Sequence, residues 1–323
     1  MVGTPRFLIQ PTGDFSTDAN GSDELPKTAM APATYQMVPV GDSRPGHFDA
    51  SGANCVVTLT KDGIAELWDE KNATQMPGDQ IVRKGPSAPV RFTIRGKNEG
   101  RTALVAVDEN GRTLCSLIIS VKKPLELTYR LYCLTDKRRT ETSKVFDFLS
   151  MRAIPALKKV LKQQANIDIV SNGPNGVVSF PYEFMGDPLY LNEPRYPKWK
   201  SWSKSWWYHI LNKTITEHNS EATRLNIIGT PINFEYDANL GGYGYTILGN
   251  TGIGGKYSLI ELINFDNSDI VSVIHEVGHA LDLGHNMIPG ADQHYCMLPI
   301  VGLGFRFRMV EIDVINPSAK SFR

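Results

Sequence analysis

The chain has no run of about 18 consecutive apolar residues, the length that a helix needs to cross a bilayer, so no transmembrane segment is expected. Nor does one sign of charge dominate: 34 Lys and Arg balance 34 Asp and Glu. That removes the global basic field of a nucleic-acid binder or of a protein held on an anionic membrane. Cysteine is scarce, and none of the four residues forms a CxxC pair, which argues against a thiolate zinc site. Cys55 and Cys115 fall on separate strand candidates of one region. They are either free buried thiols or a pair across a sandwich. The opening, MVGTPRFLIQPTGDFSTDANG, lacks the long apolar core and cleavage-like site of a secretory signal. The expectation is therefore a cytoplasmic protein, one exported by a leaderless route, or one that has lost its leader.

What is present suffices for real cores, since 41% of the residues are apolar. At 323 residues the chain is longer than one typical domain. Residues 1–40, rich in Gly, Pro, Ser, Thr and Asp, show no sustained periodicity and read as an extended leader or arm. Residues 41–123 read as all-β. Short β-rich runs (CVVTLT, IAELW, VRFTI, TALVAV, RTLCSLIISV) alternate with turn signals such as KDG and DENG, where Gly accepts the positive φ of a tight hairpin. Strands spaced about ten residues apart suit a small sandwich. In pattern this stretch resembles bacterial immunoglobulin-like domains, which implies an N-terminal module able to dock on a glycan or a surface.

Past a linker at Lys122-Lys123-Pro124 the pattern becomes mixed. LELTYRLYCL, NIDIV, RLNIIGT, GYTIL and SLIELINF are strand candidates, and residues 142–164 carry helical spacing that Pro155 should kink or restart. A further helix is expected over about 200–216. Residues 124–323 thus form an α/β or α+β domain. Trp199, Trp202, Trp206 and Trp207 crowd one short stretch. They supply either a core face or an exposed platform for glycan or membrane surface.

The chemistry concentrates in His275-Glu276-Val277-Gly278-His279-Ala280-Leu281-Asp282-Leu283-Gly284-His285. Asp266 or Ser268 can cap a helix there. Ile270, Ile274, Val277 and Leu281 form its apolar stripe. His275 and His279, four residues apart, project together and can hold one metal ion. Glu276 points to another side, placed to act on a water as general base rather than to ligate. Peptide hydrolysis needs that base and an electrophile such as zinc (Zn2+).

The same segment resembles the extended zinc signature of the metzincin metallopeptidases, HExxHxxGxxH. The resemblance implies a zinc peptidase domain over 124–323, with His285 as third ligand after a sharp turn. It also implies a Met-turn beneath the metal, matched by His294-Tyr295-Cys296-Met297-Leu298-Pro299, with Met297 as its methionine. The signature's Gly is Asp282 here. Asp tolerates the left-handed backbone better than most residues, so the turn is feasible. Glu311 or Asp282 itself remain alternative third ligands. The family order places a substrate-binding edge strand just before the zinc helix. GYGYTILGNTGIGGKYSLIEL occupies that place, with Tyr245, Ile247 and Gly249 as candidate contacts for a protein or peptide substrate. Three functions follow: an endopeptidase, a delivered effector or toxin acting on one target protein, or a non-catalytic glycan- or protein-binding module with a structural zinc site.

Overall fold

The computed structural model describes residues 4–9, 31–32, 35–71, 73–83, 88–135, 141–179, 198–199, 212–231, 235–236, 249–251, 254–262, 264–285, 296–297 and 307–316. The chain divides into two compact units, both rich in strand. The first comprises Met1–Leu125, Lys159–Asp168 and Gly304–Arg323; the second comprises Glu126–Lys158 and Ile169–Leu303.

The first unit is a two-sheet sandwich. Its strands are β1 (Arg6–Ile9), β2 (Ala31–Pro32), β3 (Tyr35–Pro39), β4 (Ser43–Asp49), β5 (Cys55–Leu59), β6 (Ala65–Asp69), β7 (Thr74–Gln75), β8 (Gln80–Arg83), β9 (Val90–Gly96), β10 (Gly100–Val107) and β11 (Thr113–Lys122). One sheet runs β2-β1-β4-β9-β6-β7 and the other β3-β11-β10-β5-β8. Alternation builds the core: Phe92 and Ile94 of β9 and Leu67 of β6 face Val57, Leu104 and Ile119 of the opposite sheet. Phe7 packs against Phe48 and Phe92, with ring centroids 5.1 and 6.5 Å apart.

Three strands, β1, β2 and β3, lie inside the stretch expected to be an extended arm. Strand β3 is buried at every residue, so it carries no period-2 alternation to read. It joins its sheet parallel to β11, pairing Tyr35 with Ile118 and Val38 with Val121. Cys55 and Cys115 belong to one sheet and are separated by β10. They are free thiols and cannot bridge a sandwich.

The unit also holds a helix from near the end of the chain (Met309–Ile315). Asp313 on that helix receives Arg101, Lys122 Nζ at 2.7 Å and Ser120 Oγ at 3.2 Å. Asn316 Nδ2 donates to Lys123 O at 3.1 Å. These partners lie far away in sequence, and nothing local in MVEIDVI announces them.

In the second unit, β12 (Leu125–Thr135), β13 (Ile167–Ser171), β14 (Gly176–Ser179), β16 (Leu225–Thr230), β18 (Gly249–Thr251) and β19 (Tyr257–Glu261) form one sheet. Its order is β13-β12-β16-β19-β18, with β14 also on β12. The pairs β12/β16 and β16/β19 are parallel, while β18 runs antiparallel to β19 and is the edge strand among the described residues. Strands β15 (Lys198–Trp199) and β17 (Glu235–Tyr236) form a separate parallel pair. Trp199 is therefore a strand residue rather than part of a helix. Trp202, Trp206 and Trp207 lie outside the described residues, while 212–218 are helical.

Helices α1 (Thr142–Phe148) and α2 (Ile154–Ala165) follow β12, joined by a π-helical turn over Leu149–Ala153. Ile154 N–H reaches Leu149 O, five residues back. The helix widens just before Pro155 and a new α-helix starts at Ile154, which is the restart that the proline suggests. Helix α3 (Asn267–Ala280) packs on β19, β18 and β16. No described helix is long and apolar enough to cross a membrane.

Two outcomes check this description. Phe92 is fully buried, so Phe92→Ala should lower unfolding free energy by about 3–5 kcal/mol in a urea titration followed by circular dichroism. Thiol titration of unfolded protein prepared without reductant should find all four cysteines reactive.

Candidate metal centre

Helix α3 begins where Asp266 accepts Ser268 N–H at 2.8 Å and the Ser268 hydroxyl at 2.6 Å, so of the two cap candidates it is Asp266 that caps. These hydrogen bonds hold the Asp266 carboxyl below its usual range. Every residue from Asp269 to Ala280 is buried, a stronger condition than a single apolar stripe. A helix enclosed on all sides cannot rotate or slide without losing packing, so its side chains point in fixed directions.

The helix ends in a Schellman turn. Asp282 takes φ +74°, its N–H donates to His279 O at 3.1 Å, and Leu283 N–H donates to Gly278 O at 3.1 Å. Asp282 thus does the left-handed work of the signature's Gly. The chain then reverses and brings His285 back to the helix.

The three histidines meet tip to tip. His275 Nε2 lies 3.1 Å from His279 Nε2 and 3.2 Å from His285 Nε2, and His279 Nε2 lies 3.1 Å from His285 Nε2. The Nδ1 atoms of two rings are engaged elsewhere. His275 Nδ1–H donates to Cys296 O at 2.6 Å, and His279 Nδ1–H donates to Leu283 O at 2.7 Å. Both Nε2 atoms are then bare lone pairs aimed at one point. Nitrogens bound at ~2.0–2.1 Å around a tetrahedral ion would lie about 3.3–3.4 Å apart, so the residues fit such an ion closely. Among the described residues this is the cluster of His, Cys, Asp or Glu that could hold a metal.

Electrostatics point the same way. His275 is 4% exposed, and burial pushes its pKa down to about 4 against the pull of its Cys296 hydrogen bond. Burial, then the neighbouring His279, also lowers that of exposed His285. A cationic ring is disfavoured where a metal cation would be welcome.

Glu276 is buried on the same helix, and its backbone carbonyl accepts Ser258 Oγ of β19 at 3.4 Å. Met297 is fully buried in a turn with Cys296, whose carbonyl orients His275. Gly249 starts the edge strand β18, opposite Ile260; Tyr245 and Ile247 lie outside the described residues. Of the alternative ligands, Glu311 accepts Arg308 N–H at 2.7 Å, and among the described residues neither Glu311 nor Asp282 belongs to the histidine cluster. The carbonyls of Cys296 and Leu283, which fix the two ring tautomers, left no trace in the sequence because any residue supplies one.

No family model and no curated protein matches the chain. Solved structures give local similarity to the S-layer protein SbsC. Domains 4 and 5 of that protein match at 14% identity and TM-score 0.20, over 28% of this chain and 47% of that one. Domains 5–6 match at 15% and 0.21, over 29% and 43%. A longer fragment of SbsC matches at 14% and 0.20, over 28% and 12%. The chain thus spans less than half the length of each. Similarity of this strength assigns neither fold nor activity.

The lowered histidine pKa values carry a sign. Between about 4 and the ordinary 6.5, the unfolded chain binds a proton at His275 that the folded chain refuses. In metal-free protein the contribution of this histidine to stability is fully present above about pH 6.5 and is lost as pH falls toward 4, by up to about 1.4 kcal/mol per pH unit. Urea titrations of chelator-treated protein at pH 7 and pH 5 should show this loss, and His275→Gln should reduce it.

Proposed function

We propose that the chain is a zinc-dependent endopeptidase of the metzincin kind, with His275, His279 and His285 holding the metal and Glu276 as the general base. The observation that carries this reading is the convergence of three Nε2 atoms at one point, beside a buried glutamate on the same helix. When bound, zinc would supply a Lewis acid that polarises the scissile carbonyl and lowers the pKa of a water. The Glu276 carboxylate takes a proton from the attacking water and returns it to the leaving amide nitrogen. The Nδ1–H bonds of His275 to Cys296 and of His279 to Leu283 orient both rings. Met297, buried beside Cys296, would be the methionine of the Met-turn. The antiparallel edge strand β18 offers main-chain groups to an extended peptide.

Among the described residues three ligands converge and His285 is exposed, which favours this reading over a structural zinc site in a non-catalytic binding module. Structural sites enclose their ion with four protein ligands, whereas catalytic ones keep a position open. In this reading the parallel sheet with its buried helix is a metzincin-like domain, and the sandwich is of the bacterial immunoglobulin-like kind and serves docking.

The test is cleavage of a proteome-derived peptide library, read by mass spectrometry, with metal analysis of the same samples. Wild type should contain about one zinc and cut peptides. Glu276→Ala should keep the zinc and lose at least about 100-fold in rate. Equal cutting by Glu276→Ala would refute the assigned base.

A further inference from the structure

The position of His285 depends on how the end of α3 is held. His285 follows Asp282-Leu283-Gly284, and Leu283 O also orients His279. One short turn therefore sets one ligand's backbone and another's ring.

The carbonyls at the end of α3 are tied down from outside the helix. His279 O accepts Gly254 N–H at 2.8 Å in addition to Asp282 N–H. Ala280 O accepts Arg224 Nη2, and Arg224 Nη1 donates to Gly255 O at 3.0 Å. The Arg224 main chain is anchored in turn, its N–H donating to Thr128 Oγ1 at 3.1 Å. Gly254 takes φ +69°, and a Cβ there would collide with Asp282 Oδ1. The Asp282 side chain thus lies over a glycine while the half-buried Arg224 guanidinium bridges the helix end and that same glycine loop.

Each part has a physical reason. A cation is favourable at a helix C-terminus, where carbonyl dipoles point outward. A planar guanidinium can donate to two carbonyls at once from a rigid fork, which an ammonium cannot reproduce. Asp282 in place of Gly carries the steric strain of a Cβ at a left-handed position, and external ties hold the turn that glycine would adopt unaided.

We propose that Arg224, acting with Gly254, is the positioning residue for the third histidine: it pins Ala280 O and Gly255 O so that the turn at Asp282 delivers His285 to His275 and His279. This rests on the metal-site reading above. Arg224 touches neither metal nor substrate in this role; it acts through backbone.

The experiment measures Zn2+ affinity by competition with a chromophoric chelator and records the visible absorption of the Co2+-loaded protein. It compares the full-length wild type, Arg224→Lys, Gly254→Ala and His285→Ala. Arg224→Lys and Gly254→Ala should bind Zn2+ about 10–100-fold more weakly, the usual effect of losing an outer support of a metal site. Their Co2+ spectra should shift toward that of His285→Ala, while circular dichroism stays that of wild type. Unchanged affinity in both variants overturns the proposal. So does weaker binding with an unaltered Co2+ spectrum, because that is a general structural loss without displacement of a ligand. Should Arg224→Lys not fold, Gly254→Ala tests the turn from its other side. A wild type that binds neither ion overturns the metal-site reading, and this inference with it. A wild type that binds while the variants behave like it overturns this inference alone.

Discussion

Three imidazole Nε2 atoms lie 3.1–3.2 Å apart around one point, and the Nδ1–H bonds of His275 and His279 leave two of them as lone pairs facing it. Burial makes a proton on His275 costly, so that ring keeps its lone pair. The architecture around the cluster keeps it in place. The helix is buried throughout, Asp266 caps its start, and a left-handed Asp282 ends it. Two backbone carbonyls turn rings that could otherwise present either nitrogen.

Those supports divide the labour in a specific way. In the proposed site side chains would supply the ligands and the base, whereas main-chain groups supply their aim. Cys296 contributes its carbonyl while its thiol stays buried. Leu283 contributes a carbonyl from the turn that also leads to His285. The same logic extends to Arg224, whose fork grips carbonyls at the end of the helix and in the Gly254-Gly255 loop. Rings aimed by backbone hydrogen bonds reach their ligating geometry before metal arrives, which lowers the ordering cost of binding.

Much of this was legible from residues close together in the chain. Spacing of four puts His275 and His279 on one helix face, and the tolerance of Asp for left-handed backbone foretells the turn at Asp282. The sandwich strands from Cys55 to Val121 follow their alternation and hairpin signals. Strand β3 escaped notice because burial on both faces erases alternation. The helix Met309–Ile315 gave no sign that it belongs with the first unit, since Asp313 meets partners some two hundred positions earlier. Pro155 suggested a kink or a restart, and the helix restarts at Ile154 after a π-turn. That choice depends on what surrounds the helix, and proline itself does not specify it.

Local chemistry therefore decides which atoms are candidate ligands, which carboxylate is the candidate base, and where the chain turns. Those properties belong to residue types and short spacings. Tertiary structure alone settles that three Nε2 atoms share a point, that two tautomers are fixed, and that the metal helix lies beside an antiparallel edge strand. Each of these joins residues that are separate in sequence through backbone groups common to every residue, so no pattern of side chains could announce them in advance.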